Sequence, residues 1–371
     1  MIVPIRLDDP SALPSPALLI DRQRAIANLH AMLQMARGPE RLRTHVKTHK
    51  MPALVRLAAG LGITKHKVAT IAEAEMTAAA GGSDVLIAYP LVGPNVVRLA
   101  RLARAYPQTT FRAVVDQPEG ARELSAAFQG SPRSLPVLVD LEVGMGRTGI
   151  APGDEAASLY ELLAALSNLE PDGLHAYDGH IKDRDPQARR ESARAGQEAT
   201  FHLRGRLEAR GLPVPRLVMG GTPTFPIHAA HEAPGVECSP GTCVLHDAGY
   251  TANFPDLPFQ PAAFLLTRVV SRPRRGRITL DLGSKAVASD PPAGHRVTVL
   301  DLPDGVVVGQ SEEHLVVETA AADQCPPGTV MLAVPTHICP TCALHREAIV
   351  VEDGRVVDRW AVTARDRTLG V

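Results

Sequence analysis

Residues 42–47 read Leu-Arg-Thr-His-Val-Lys, a short extended-chain run that ends on a lysine. Seven further runs of similar texture follow, at 68–71, 85–89, 111–115, 137–142, 173–177, 216–219 and around 236–245. Between them lie stretches such as Pro94–Ala105 and 155–166, whose apolar residues recur every three or four positions, the period of a packed helix face. Ahead of the series, 22–37 reads as an amphipathic helix with Ile26, Leu29, Leu33 and Ala36 along one face. Strands alternating with helices build parallel sheet, and eight of them predict a closed (β/α)8 TIM-type barrel rather than an open sheet. The barrel is expected over residues 15–253.

Beyond about residue 255 the texture changes. The runs 262–270, 277–282, 296–300, 314–318, 329–333 and 347–351 are strand-like, and turn signals at 292–294, 303–305 and 353–354 separate them. Little helical pattern interrupts them, so 254–371 is expected to form a second, mostly β domain. Residues 1–14, extended and proline-rich, are grouped with it, the alternative being a lead-in to the barrel.

The bulk composition narrows the class. At 371 residues the chain suits two domains, or one barrel with an appendage. It is 45% hydrophobic and 21% charged with a formal net charge of −1, which fits a soluble globular enzyme. There is no basic excess for nucleic acid, and no apolar run of membrane-spanning length. The first sixteen residues carry Asp8, Asp9 and four prolines, unlike a signal peptide. Five cysteines make an odd, sparse set rather than a disulfide framework, so a cytoplasmic location is expected. Only 4% of residues are aromatic, which argues against stacking platforms for sugars or bases.

Barrel active sites gather where strands end and βα loops begin. Polar residues cluster at those ends: Lys47, Thr70, Tyr89 and Asp116 after the first four strands, then Asp140, Glu142 and Arg147, then Tyr177, Asp178 and His180. Gly220, Gly221 and Thr222 follow the seventh strand, while Ser239, Gly241 and Thr242 lie by the eighth. Loop starts are commonly polar, but a lysine aimed into a barrel mouth is costly unless paired or functional. Lys47 can hold a carbonyl cofactor as a Schiff base. The two glycine–hydroxyl runs read as phosphate cradles, because glycine lets backbone N–H groups approach an anion and hydroxyls add donors; ordinary turns are the plain alternative. Near the other end stands His-Ile-Cys-Pro-Thr-Cys, 337–342. On an extended segment, His337 and Cys339 would project to one side and ligate one ion. Imidazole and thiolate favour zinc over magnesium or calcium. Cys342 reads as structural and His345 as a less favoured accessory ligand. Lysine and metal pair together suggest one site drawn from two domains.

Five segments carry a family resemblance: 43–50, 139–150 (Val-Asp-Leu-Glu-Val-Gly-Met-Gly-Arg-Thr-Gly-Ile), 220–224, 282–290 and 337–341. In order, and over nearly the whole chain, they resemble the fold-type III pyridoxal 5'-phosphate enzymes of the D-threonine aldolase and D-serine dehydratase family, barrel relatives of alanine racemase. The resemblance implies that Lys47, not Lys50, is the Schiff-base lysine. It implies that Arg147 faces the cofactor ring or its substituents, that Thr222, Gly241 and Thr242 grip the phosphate with Gly221 contributing backbone, and that Tyr177 and His180 sit close by. The loop 283–285 is family-like too. His337 and Cys339 become the metal pair, with Zn2+ favoured and Mn2+ or Mg2+ as alternatives. The implied protein is a homodimer acting on a small-molecule D-amino acid, with no nucleic acid or membrane partner.

The implied reaction is lyase chemistry on a D-3-hydroxy amino acid. Retro-aldol cleavage to glycine and an aldehyde leads, with His180 or a metal-bound water as the candidate base, while Lys47, once released from the cofactor, would take the α-proton in the dehydration route. Dehydration to a 2-oxo acid and ammonia is the alternative. Aldolases of the family often carry a carboxylate where Cys339 stands, whereas the dehydratases use histidine and cysteine with zinc. An amino-acid racemase would leave His337 and Cys339 idle, and a non-catalytic cofactor carrier would have no need of the β domain.

Overall fold

In the computed structural model, which describes residues 2–371, the chain forms two units. One gathers the residues up to Ala31 with Thr48–Ala53 and Thr242–Arg365; the other holds Met32–Lys47, Leu54–Gly241 and Asp366–Val371. Strand β1 (Ala17–Asp21) and helix α1 (Arg22–Ala36) come first in the chain.

The second of these units is the barrel. Its strands are β2 (Thr44–His45), β3 (Lys65–Val68), β4 (Asp84–Ile87), β5 (Thr110–Val115), β6 (Leu135–Leu141), β7 (Leu169–Ala176), β8 (Leu217–Met219) and β9 (Val236–Cys238). They pair in parallel in chain order. A parallel bridge from Leu42 to Cys238, with the Arg43 and His45 N–H groups donating to the carbonyls of Cys238 and Pro240 at 2.9 Å each, closes the ring. The connecting helices are α2 (Pro52–Gly60), α3 (Ile71–Ala79), α4 (Pro94–Ala105), α5 (Pro118–Ala127), α6 (Asp154–Ala165), α7 (Pro186–Ala209) and α8 (Phe225–Ala229).

The expected barrel is therefore present, with three strands shifted or shortened. The second was expected at 68–71 but is Lys65–Val68, because Thr70 caps α3 by accepting the Glu73 N–H at 3.1 Å and Ile71 is already helical. The first keeps only Thr44–His45, since Val46–Thr48 winds into a 3-10 turn. The eighth stops at Cys238; Pro240 has no N–H for a ladder, and Thr242–Val244 is a 3-10 turn.

The barrel interior is graded. Leu86, Val114, Leu138 and Val218 form a small apolar cluster, one from each of four strands. Alternation along a strand puts residues two apart on the same face. Two before Leu86 comes Asp84, within a buried ion cluster: Arg43 bonds Asp84 at 2.7 Å and Glu237 at 2.6 Å, Arg112 bonds Asp84 and Asp172, Arg216 bonds Asp172, and Lys65 bonds Glu237 at 2.7 Å. Two after Leu138 comes Asp140, at the opposite, C-terminal end of the strands. Charge thus seals the bottom, apolar side chains fill the middle, and polar groups reappear at the mouth.

His66 lies beside the ion cluster, buried, with Nδ1 2.9 Å from the Thr44 hydroxyl and Nε2 without a hydrogen-bond partner. Burial, reinforced by Arg43, lowers its pKa from 6.5 to about 4. Since the unfolded chain takes the proton first, the stability that neutral His66 confers is full above pH 6.5 and drains away as pH falls toward 4. The melting temperature is expected to decline across that window, and less so in His66→Asn; identical pH profiles for the two proteins would exclude His66 as a contributor.

The β unit is centred on the twelve-residue strand β10 (Ala263–Arg274), which pairs with β1, with β11 (Arg277–Leu280) and with β15 (Val330–Pro335). Strand β12 (Val297–Val299) joins β15, β13 (Val306–Gln310) joins β14 (Leu315–Glu318) beside β11, and β16 (Glu347–Glu352) pairs with β1 and with β17 (Arg355–Ala361). Leu19 faces Phe264 on one side and Ile349 on the other, within a core that includes Ile5, Leu13, Leu266, Val334 and Val351. Short helices α9 (Ala248–Asn253) and α10 (Ile338–Leu344) complete the unit. No helix among the described residues is long and apolar enough to cross a membrane.

Candidate active site

At the mouth of the barrel the side chains gather around the ring of Tyr177, one residue past β7. Lys47 Nζ stands 5.9 Å from the ring centroid, Lys67 Nζ 5.3 Å and the Arg147 guanidinium carbon 5.0 Å. Two glycines give the ring its room. A Cβ on Gly179 would stand 2.2 Å from the tyrosine oxygen, and one on Gly221 would stand 3.1 Å from the ring. No larger residue fits at 179 without displacing Tyr177.

His45 shapes the turn that presents Lys47. Its Nδ1 accepts from the Lys47 N–H at 3.4 Å, and its ring also hydrogen-bonds the Lys67 backbone. Burial, then the charges of Lys47 and Lys67, hold its pKa well below the ordinary range, so the imidazole is neutral. The 143–149 loop carrying Arg147 is pinned by three carboxylates. Glu142 accepts from the N–H groups of Gly144 and Gly146, Asp116 from Gly149 at 2.9 Å, and Asp140 from the Thr148 hydroxyl at 3.0 Å. The acids expected at strand ends thus hold a loop in place. His180 lies in an exposed turn with its ring against Gly144 of that loop.

The two glycine loops are tied to the same scaffold. Asp178 accepts from the Thr224 hydroxyl and from His228 Nε2, both at 2.7 Å, and His228 Nδ1 meets the Gln197 amide at 3.0 Å. Thr224 Oγ1 in turn accepts from the Gly221 N–H at 3.2 Å, and Thr222 Oγ1 from the Gly241 N–H at 3.4 Å. His175 bonds Asp140 at 2.6 Å through Nδ1, leaving a buried Nε2 without a partner. Three basic side chains around one aromatic ring, with glycine backbone beside it, suit a flat, multiply anionic ligand.

In the β unit the expected pair is brought together, though not on an extended segment. His337 is the residue before α10 and Cys339 lies in its first turn. The bend comes from Asp247, which caps α9 by accepting the Tyr250 N–H at 2.8 Å and also accepts the Ile338 N–H at 3.1 Å. Burial raises the pKa of that carboxyl to about 6. The two side chains hydrogen-bond each other. Asp290 Oδ2 lies 2.5 Å from His337 Nδ1, leaving Nε2 as the nitrogen for a ligand bond. Burial alone would lower the His337 pKa; Cys339 and Asp290 outweigh it and raise it to about 9. Burial would raise that of Cys339, but His337 and the Thr48 hydroxyl, 3.3 Å from Sγ, bring it down. Thr242, expected on a phosphate, has its hydroxyl 3.6 Å from the same sulfur. Thr341 ties the 282–290 loop to this helix, donating to the His337 carbonyl at 2.8 Å and accepting from Ala288 at 3.1 Å. Among the described residues no group of three or more His, Cys, Asp or Glu side chains is set to hold a metal.

Sequence reading did not single out Lys67, His45, His175 or the orienting role of Asp290. Lys67 was hidden by the misplaced second strand: Lys-His-Lys-Val does not look like a strand until its partners are known. Asp290 closes the 282–290 motif, 47 residues before the histidine it orients, a separation that carries no local signal.

Residues 20–247 match the family described as "Alanine racemase, N-terminal domain", and residues 262–351 the one described as "Putative serine dehydratase domain". The chain is 32% identical to D-threonine aldolase of an Arthrobacter species, covering 98% of this chain and 96% of the relative. It is 28% identical to D-threo-3-hydroxyaspartate dehydratase of Delftia strain HT23, over 89% and 92%. The crystal structure of D-threonine aldolase from Filomicrobium marinum superposes with a TM-score of 0.87 at 30% identity, covering 96% of each chain. The chain belongs to the D-threonine aldolase family of lyases, whose N-terminal barrel is that of alanine racemase.

Proposed function

We propose that this protein is a pyridoxal-phosphate- and divalent-metal-dependent lyase that cleaves D-3-hydroxy amino acids of the threonine type into glycine and an aldehyde. The observation that carries the reading is the half-buried Lys47 amine beside Tyr177, flanked by Arg147 and by a buried ammonium, Lys67, that has no acceptor of its own. Such a group fits an anionic cofactor and is hard to explain without one. Lys47 would hold the cofactor covalently, Tyr177 would lie against its ring, and Arg147 would meet its substituents. Gly221, Thr222, Gly241 and Thr242 would hold the phosphate. Pyridoxal phosphate supplies an electron sink for the bond broken at Cα.

The residues of the chain then divide the remaining work. Lys47, once released by the incoming amino group, would deliver to Cα the proton that completes glycine after the Cα–Cβ bond has broken. His180, whose ring lies against Gly144 of the Arg147 loop, would take the proton of the β-hydroxyl. The glycine loops and Asp178 keep the anionic end still. In the β unit, His337 Nε2 and the Cys339 sulfur would hold the metal, and their soft donor set favours Zn2+, with Mn2+ or Mg2+ as alternatives. The metal supplies a Lewis acid for the β-oxygen. Two ligands from the chain leave room for oxygen donors. A cytoplasmic homodimer acting on a small-molecule D-amino acid belongs to the same reading.

A second reading, dehydration to a 2-oxo acid and ammonia, is favoured by one residue: Cys339, where the resemblance puts a carboxylate in many aldolases. Product identification separates them. Purified protein with pyridoxal phosphate, Zn2+ or Mn2+ and D-threonine is expected to release acetaldehyde and glycine in equal amounts. Formation of 2-oxobutyrate and ammonia instead would establish the dehydratase, and activity that survives EDTA with no cleavage at all would establish a racemase. Cys339→Ala is expected to lose most bound metal and turnover while still taking up the cofactor; an unchanged metal content would remove the pair from the metal site.

A further inference from the structure

Lys65 and Lys67 stand two apart on β3 and share a face, yet only the first is paired. Lys65 reaches Glu237 at 2.7 Å. Lys67 is 2% exposed, and its ammonium makes no hydrogen bond or ion pair among the described residues. A lysine ammonium held this deep in the barrel with no acceptor is unfavourable.

The neighbouring carboxylates do not supply one. Asp140 and Asp178 both act on Lys67 through space, but Asp140 is bonded to His175 and Thr148, and Asp178 to His228 and Thr224. The other groups facing it are cationic or neutral: Lys47, Arg147, His175 and His45, whose ring is bonded to the Lys67 backbone. Burial and the charge of Lys47 bring the Lys67 pKa from 10.5 to about 7, so without an anion the ammonium is only partly formed at neutral pH. The group is poised for an acceptor that arrives with a ligand.

We propose that Lys67 is a positioning residue whose ammonium binds the phenolate oxygen of pyridoxal phosphate, the substituent next to the carbonyl carbon that Lys47 attacks. This rests on the cofactor reading above and adds a contact to it. The choice of oxygen follows from the neighbours. Among surrounding charges, Lys47 acts on Lys67 most strongly, and both amines lie within 6 Å of the Tyr177 centroid, at 5.9 and 5.3 Å. The anionic atom nearest the carbonyl carbon in the covalent structure of the cofactor is the phenolate. The phosphate, the other anion, is assigned to the glycine loops after β8 and β9.

The test compares two ligands on two proteins. Apoprotein affinity is measured by fluorescence titration for pyridoxal phosphate and for its 3-deoxy analogue, which keeps the aldehyde and phosphate but lacks the phenolic oxygen. The wild-type chain is expected to prefer pyridoxal phosphate by about 10- to 100-fold, the range of a charge-assisted hydrogen bond. Lys67→Met should bind the two alike, having lost affinity for pyridoxal phosphate only, and Lys67→Arg should regain part of the preference. The apoprotein melting temperature of Lys67→Met should hold or rise, since an unpaired buried charge is removed. Equal loss for both ligands, or a preference that survives in Lys67→Met, overturns the proposal. A wild-type chain that takes up neither compound overturns the cofactor reading and this inference with it.

Discussion

Lys47→Ala mixed with pyridoxal phosphate is expected to stay colourless, with no visible-edge absorbance band and no label retained after borohydride reduction. Turnover of D-threonine should fall by about 10^4-fold or more, because one side chain is asked to hold the cofactor and to move the Cα proton. The fold should be untouched, since Lys47 is half-buried and makes no ion pair among the described residues. Lys50→Gln is the matched control. Lys50 sits beyond the 3-10 turn at a positive φ of 54°, and its replacement should leave both the band and turnover in place. Retention of the absorbance band in Lys47→Ala would falsify the lysine assignment outright.

The second large effect concerns stability. Arg43 is fully buried and serves both Asp84 and Glu237. Arg43→Ala should cost about 3 kcal/mol, toward the lower end for breaking a buried pair, because Arg112 still holds Asp84 and Lys65 still holds Glu237. A fall of several degrees in melting temperature is expected, with cofactor uptake at low temperature preserved. The pH dependence identifies the source. Burial would raise the pKa values of Asp84 and Glu237, but Arg43 outweighs it and holds them below 3.8 and 4.5. Depressed carboxyls stabilise the fold fully above those values and lose that contribution as pH falls through the folded ones. The gap between wild type and variant should therefore narrow below about pH 4. A gap that stays constant into acid would assign the loss to packing.

The barrel was legible because eight strand–helix units leave a period in the sequence whatever their polarity. The placement of Lys47 at the barrel mouth and of His337 beside Cys339 was legible because the motifs keep order and spacing. What was lost has a physical reason in each case. Strand β3 was misplaced since its interior face carries Lys65 and Lys67, residues that local pattern assigns to solvent. Strands β13 and β17 were missed because they are largely exposed, and β1 because its partners lie far away in sequence. Spacing alone predicts an extended His337–Cys339 segment, whereas Asp247, a buried carboxylate ninety residues earlier, accepts the Ile338 N–H and starts a helix there.

The placement of β1 bears on how the protein is made. Its hydrogen-bonding neighbours are β10 and β16, which leave the ribosome some 250 and 330 residues later. The nascent chain can assemble its (β/α) half while this apolar pentapeptide waits without a mate, a long closure that slows maturation and exposes it to mispairing. An expression clone trimmed at the front by twenty residues would delete the strand seated between those two, and its product should come out insoluble.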